Sequence, residues 1–185
     1  MRRSLSVVAV LVALLGLTAC SNHAAAPDPA GDASAADAMF AQMMIPHHEQ
    51  AVVMADLAPT RAQDPQILEL ATEIKGAQQP EIDQMAAWLE EWGVPRLAGD
   101  EAMAAHGSHG MSGMLTDEQL AELEASSGTD FDQLFAQLMI EHHEGAIEMA
   151  NAVVDSSDPR VAQLAKQIIS TQEGEIEQLR PLAGS

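Results

Sequence analysis

From about position 34 onward, apolar residues recur at steps of three and four. Phe40, Met44, Ala51 and Met54 share one stripe with His47, and Ile67, Leu70, Ile74, Ala77 and Ile82 form another. This is the period of helices with one buried face, and no stretch alternates every second residue between hairpin turns. The pattern predicts an all-α chain with long helices over about 34–58, 65–92, 130–155 and 159–180. Asp64 and Asp158 stand as N-caps of the second and fourth, each followed by a proline at the first helical position, where its missing N–H costs nothing. The run "EEWGVP" from Glu90 stops the second helix. Thr116 and Gln119 have capping-box spacing and announce a further short helix.

The pattern is duplicated. Residues 40–55 align with 135–150 without a gap, and 11 of the 16 positions are identical. After a one-residue deletion, 64–85 aligns with 158–179, pairing Gln78 with Gln172, Glu81 with Glu175 and Met85 with Leu179. A repeat of this length implies two structural halves related by a pseudo-twofold axis. Each half reads as helix, short turn, helix, and some thirty-five residues separate them. Two hairpins joined by one long crossover are the topology of a ferritin-like four-helix bundle. The expected organisation is a bundle domain over 34–182, with halves 34–92 and 130–182 and a crossover 93–129.

The first nineteen residues read differently. Arg2 and Arg3 precede an apolar run too short for a comfortable membrane span, which ends in Leu17-Thr18-Ala19-Cys20. That is a lipoprotein secretion signal, with cleavage before Cys20 and a lipid on its thiol. Residues 20–33 are small, polar and proline-containing, a flexible tether. The expected location is therefore extracytoplasmic, anchored to the bacterial cell membrane or envelope. Cys20 is the only cysteine, so no disulfide framework exists and a metal site must do without thiolate.

Setting Arg2 and Arg3 aside leaves six basic residues against 28 acidic ones. Such a surface attracts cations and repels anionic headgroups, and it offers no basic patch for nucleic acid.

The chemistry sits in the repeat. "QMMIPHHEQAVVMA" (42–55) and "QLMIEHHEGAIEMA" (137–150) each hold a histidine pair with methionines a turn away on either side. A methionine at helical spacing is ordinarily core filler, and a lone histidine in a core is ordinarily structural. Here packing would have to demand buried imidazoles twice, at a cost each time. The ligand reading assigns Met44, His47, His48 and Met54 to one site and Met139, His142, His143 and Met149 to the other. Pro46 removes a helical hydrogen bond and is expected to open the backbone beside His47, although the second copy has Glu141 there. Glu81 and Glu175 point toward the bundle interior as carboxylates that hold the ligating rings from behind. The crossover adds "MAAHGSHGMSGM" (103–114), a glycine-spaced loop in which His106, His109, Met111 and Met114 could wrap an ion. Thioether and imidazole suit copper, Cu(I) above all, better than iron.

"MIPHHEQAVVMA", the "Q..EI..M..WL" run at 78–89 and their second copies resemble the domain-of-unknown-function 305 family, over about residues 34–182. The resemblance implies an exported bacterial protein with a ferritin-like bundle, in a family some of whose members are linked to copper binding and copper tolerance in the envelope. It points to the same eight helix residues, with Glu141 and Leu179 departing from the first copy.

The expected function is copper buffering, tolerance or transfer outside the cytoplasm, with copper-handling envelope proteins as partners and no enzymatic activity assigned. One alternative is a ferritin-like redox enzyme holding iron or copper, for which Glu49, Glu81, Glu144 and Glu175 would be essential. No Glu-x-x-His motif supports it, and no hydrolase motif is present. The other alternative is a metal-free envelope lipoprotein that docks onto another protein.

Overall fold

The structure is a computed structural model that describes residues 34–106 and 112–184. Among these the chain forms six α-helices and no strand: α1 Ala35–Arg61, α2 Pro65–Glu91, α3 Gly99–His106, α4 Asp117–Ala125, α5 Thr129–Asn151 and α6 Pro159–Leu179, closed by a 3-10 turn at Arg180–Leu182. None of the described helices is long and apolar enough to cross a membrane. The signal, the tether and Cys20 lie outside the described residues.

The local signals act where the sequence places them. Asp64 accepts from the Gln66 amide at 2.8 Å and Asp158 from the Arg160 amide at 2.9 Å. Thr116 and Gln119 form both bonds of a capping box at the start of α4. Gly93, at φ +67°, ends α2 by turning the chain so that Gly93 and Val94 donate back to Glu90 and Leu89. Helix α3 was not anticipated. Its last four residues, 103–106, were expected to belong to a wrapping loop.

α1 packs along α2 and α5 along α6, and the two hairpins meet through α1–α5 and α2–α6. Their core is divided. One apolar cluster gathers Met54, Ile67, Ile74, Phe131, Phe135 and Met139, and the other gathers Phe40, Met44, Ile82, Met85, Ala146 and Ile168. Along α1 and α5 the histidine pairs lie between the residues of the two clusters, as Gln78 and Glu81 do along α2. All four histidines are fully buried, and Gln78, Glu81, Gln172 and Glu175 are buried with them. A polar layer therefore crosses the middle of an otherwise apolar bundle.

The two halves are not equivalent, because the crossover lies on one side of them. Every residue from Phe40 to His48 is buried, a full helical circumference, whereas Gln137 and Glu141 in the second copy are exposed. α3 packs on α1 and covers the face that is open on α5. This accounts for Pro46. α1 runs through it unbroken, and a methyl group at Gly99 would lie 3.8 Å from its Cβ. Pro46 is buried beside α3, and α1 shows no break at it.

The turn between α1 and α2 is held from the opposite hairpin. The buried carboxylate of Asp132 accepts from the Gln63 amide at 3.0 Å and the Asp64 amide at 2.9 Å. Asp132→Ala strands both donors and is expected to cost about 1–3 kcal/mol, measured as a lower urea midpoint with unchanged slope.

Candidate metal centre

The polar layer has a definite hydrogen-bond order. His48 Nε2 lies 2.8 Å from Glu81 Oε2, and His143 Nε2 lies 2.7 Å from Glu175 Oε2. Each pair joins the two helices of one hairpin, and the repeat makes them counterparts. His47 Nε2 donates to the Ser112 carbonyl at 3.2 Å. Between the two hairpins the His47 and His142 rings approach to 3.8 Å between centroids, tilted by 38°. Glu81 and Glu175 are thus buried beside one histidine of their own hairpin each.

These bonds decide which nitrogens are free. A carbonyl only accepts, so His47 carries its proton on Nε2, and the carboxylate oxygens of Glu81 and Glu175 likewise accept from Nε2 of His48 and His143. In all three rings Nδ1 is buried and has no hydrogen-bond partner among the described residues. Among the described residues neither nitrogen of His142 makes a hydrogen bond of standard geometry, the backbone of His47 offering at most a weak approach. Gln78 Nε2 and Oε1 and Gln172 Oε1 are likewise unpartnered. A stable core does not carry so many unsatisfied atoms for packing alone.

Electrostatics favour the same state. Burial above all, and then the neighbouring His48, pushes His47 down to about 3, against the pull of the Ser112 carbonyl. Burial likewise holds His142 well below the ordinary imidazole range, with His47, His143 and His48 adding to it. Neutral imidazoles with Nε2 tied back and Nδ1 open are the form that binds a metal ion.

The structure does not bring every candidate together. Among the described residues no three His, Cys, Asp or Glu side chains converge on one point, so an ion here would need sulfur or a side-chain shift. Met44 and Met85 are packed in one apolar cluster and Met54 and Met139 in the other, all fully buried. Met149 is only partly buried, unlike its counterpart Met54, and packs with Met43, Met114 and Ala102. His109 and Met111 lie outside the described residues, as does the side chain of His106. Of the four carboxylates required by a redox centre, Glu49 is on the surface in an ion pair with Arg96, and Glu144 is exposed. A centre bridged by all four is therefore not what the fold assembles.

Sequence reasoning places Ser112 to Met114 in an ion-wrapping loop; in the structure Ser112 to Leu115, here called the strap, lies across the layer instead. Gln50 fastens one end, donating to the Leu115 carbonyl at 3.1 Å and accepting from its amide at 2.7 Å. At the other end Ser112 and Gly113 lie against α5. A Cβ on Gly145 would sit 1.8 Å from the Ser112 carbonyl oxygen, and one on Gly113 would sit 2.5 Å from that of Glu141. Gln50 and Gly145 occupy the same repeat position, so their difference was a visible sign of a segment that contacts the two halves unequally.

A family model, "Domain of unknown function (DUF305)", matches residues 37–183. The chain belongs to the DUF305 family. A crystal structure of a family member from Streptomyces coelicolor is 34% identical, with a TM-score of 0.72 over 80% of this chain and 91% of that one. The protein CopM in its Cu(II)-bound form is 32% identical, with a TM-score of 0.67 over 80% of this chain and 95% of that one. CopM has also been solved in Cu(I)-bound and Ag-bound forms. Uncharacterized protein L153 of Acanthamoeba polyphaga mimivirus is 42% identical over 55 residues, which are 30% of this chain and 36% of that protein. The match thus spans about a third of that viral protein.

Proposed function

We propose that this protein binds copper outside the cytoplasm, tethered to the envelope by a lipid on Cys20, and serves in copper buffering, tolerance or transfer. The observation that carries the metal reading is the set of buried, unpartnered Nδ1 atoms of His47, His48 and His143, two of these rings with Nε2 held by a carboxylate. Nδ1 of the histidines is the donor, Glu81 and Glu175 orient the rings, and the buried thioethers of Met44, Met54 and Met139 supply the soft component that favours Cu(I). The binding of Cu(I), Cu(II) and silver by CopM supports the assignment, since that protein shares the fold and about a third of its residues. The arginine-led apolar N-terminus ending in Cys20 supports export, in keeping with the secreted-protein name of the Streptomyces coelicolor relative.

An anaerobic Cu(I) titration against a competing chelator tests this. Replacing His47, His48, His142 and His143 together by alanine is expected to remove the tight component. Glu81→Gln and Glu175→Gln, which leave all four imidazoles in place, are expected to weaken it by roughly 10- to 100-fold. Undiminished binding by the quadruple variant would refute the assignment to the histidine layer.

A further inference from the structure

A cleft of about 210 Å³ lies between α1 and α5 beside the strap. Met39, Phe40 and Met43 line it from α1, Glu148 and Met149 from α5, and Ser112 from the strap. Met39 is 43% exposed, so the cleft is reached from solvent, while Met43 is buried. None of the methionines in the two buried core clusters has such access.

The repeat supplies an internal control for why sulfur is there. The second-copy counterparts of Met39 and Met43 are Leu134 and Leu138, and the first-copy counterpart of Glu148 is Val53. At the closed end of the same face, Leu138 and fully buried Met54 pack beneath Leu115 and Leu123. Leucine therefore satisfies the packing at this helix position, and nothing about the fold asks for a thioether. Methionine replaces leucine twice at the end that is open, and a carboxylate joins it there. A methionine that fills a gap is buried, and Met39 is not. Neutral thioethers with one nearby carboxylate suit a soft monovalent cation, whose charge the carboxylate balances.

We propose that this cleft is a second, outer metal site, in which the sulfurs of Met39, Met43 and Met149 hold a monovalent d¹⁰ ion with Glu148 at its edge. The proposal rests on the metal-binding reading above and adds a route to it. Ser112 forms a wall of the cleft and its carbonyl accepts from His47, so a single residue separates the outer thioethers from the histidine layer. An ion taken up at the cleft would meet the layer where His47 and His142 face each other.

The test uses the full chain with ¹³C-methyl methionine and Ag(I), a redox-silent stand-in for Cu(I). A further equivalent of silver, beyond the tight uptake by the histidine layer, is expected to shift the methyl signals of Met39, Met43 and Met149 among the eleven methionines of the chain. The same shifts should persist when His47, His48, His142 and His143 are all alanine. Replacing Met39, Met43 and Met149 by leucine preserves volume and should raise the dissociation constant for that equivalent at least tenfold, with the melting curve showing the variant folded. Silver that moves only Met44, Met54 and Met139 and the histidine rings overturns the outer site and leaves the metal reading standing. A chain that takes up no silver overturns both.

Discussion

Lowering the pH from 7.5 to 5 is expected to remove about 2 kcal/mol of stability from the metal-free protein through His47, with His142 adding to the loss in the same direction. Both rings are held neutral by burial, His47 down to about 3 and His142 well below 6.5. In the unfolded chain the same rings titrate near 6.5, so below that pH the unfolded state binds protons that the folded state refuses. Stability therefore rises with pH across the window from about 3 to 6.5 and levels off above it. The slope within the window is about 1.4 kcal/mol per pH unit for each ring. Urea denaturation at several pH values should give a slope of roughly two protons, and His142→Gln should reduce it to about one. An unchanged slope in that variant would mean that His142 is charged in the fold. Since a domain has only some 5–15 kcal/mol to lose, the effect is large. It also has a functional side, because the protons that destabilise the fold compete for the nitrogen lone pairs assigned to metal.

How far the sequence could be read depends on whether a feature is local. The helices and their starts were legible because period, cap and proline act within a few residues, and Asp64, Asp158 and Thr116 make the bonds their positions imply. The burial of His47 followed from its place on the stripe of Met44, Ala51 and Met54. His48 stands 100° around the helix and could not be placed from α1 alone. Its environment is decided by Glu81, thirty-three residues away on another helix. The repeat made the glutamates legible by showing the same register twice.

What the repeat concealed was the asymmetry. A duplicated sequence suggests equivalent halves, yet Pro46 is covered where Glu141 is exposed, and Met149 opens to a cleft where Met54 is sealed. Each difference traces to the path of the crossover, and period carries no information about which face a distant segment will cover. The substitutions between copies did carry it. Gln50 against Gly145, Pro46 against Glu141 and Met43 against Leu138 all lie where α3, α4 or the strap touches one half differently from the other. In a duplicated bundle the identical residues mark the shared fold and the buried polar layer, and the unmatched ones mark what breaks the symmetry.

Gly145→Ala gives this reading its sharpest expected result. Alanine is the better helix former by about 1 kcal/mol, so on propensity alone the substitution in the middle of α5 would stabilise. The strap reverses the sign. The added Cβ would lie 1.8 Å from the Ser112 carbonyl oxygen and 2.4 Å from its carbon, which are backbone atoms with no rotamer to yield. Moving the strap costs about 1–3 kcal/mol as overpacking. If the Ser112 carbonyl leaves His47 Nε2, the stranded donor costs about 1–3 kcal/mol more. The net expectation is a loss of about 1–5 kcal/mol, together with faster hydrogen exchange from Ser112 to Leu115. Two other helical glycines serve as controls. A Cβ on Gly76 or Gly174 meets nothing within 4 Å, so alanine at either should stabilise by about 0.5–1 kcal/mol. If Gly145→Ala melted as high as those two, the strap could not be packed against α5, and the donor of His47 would need another partner.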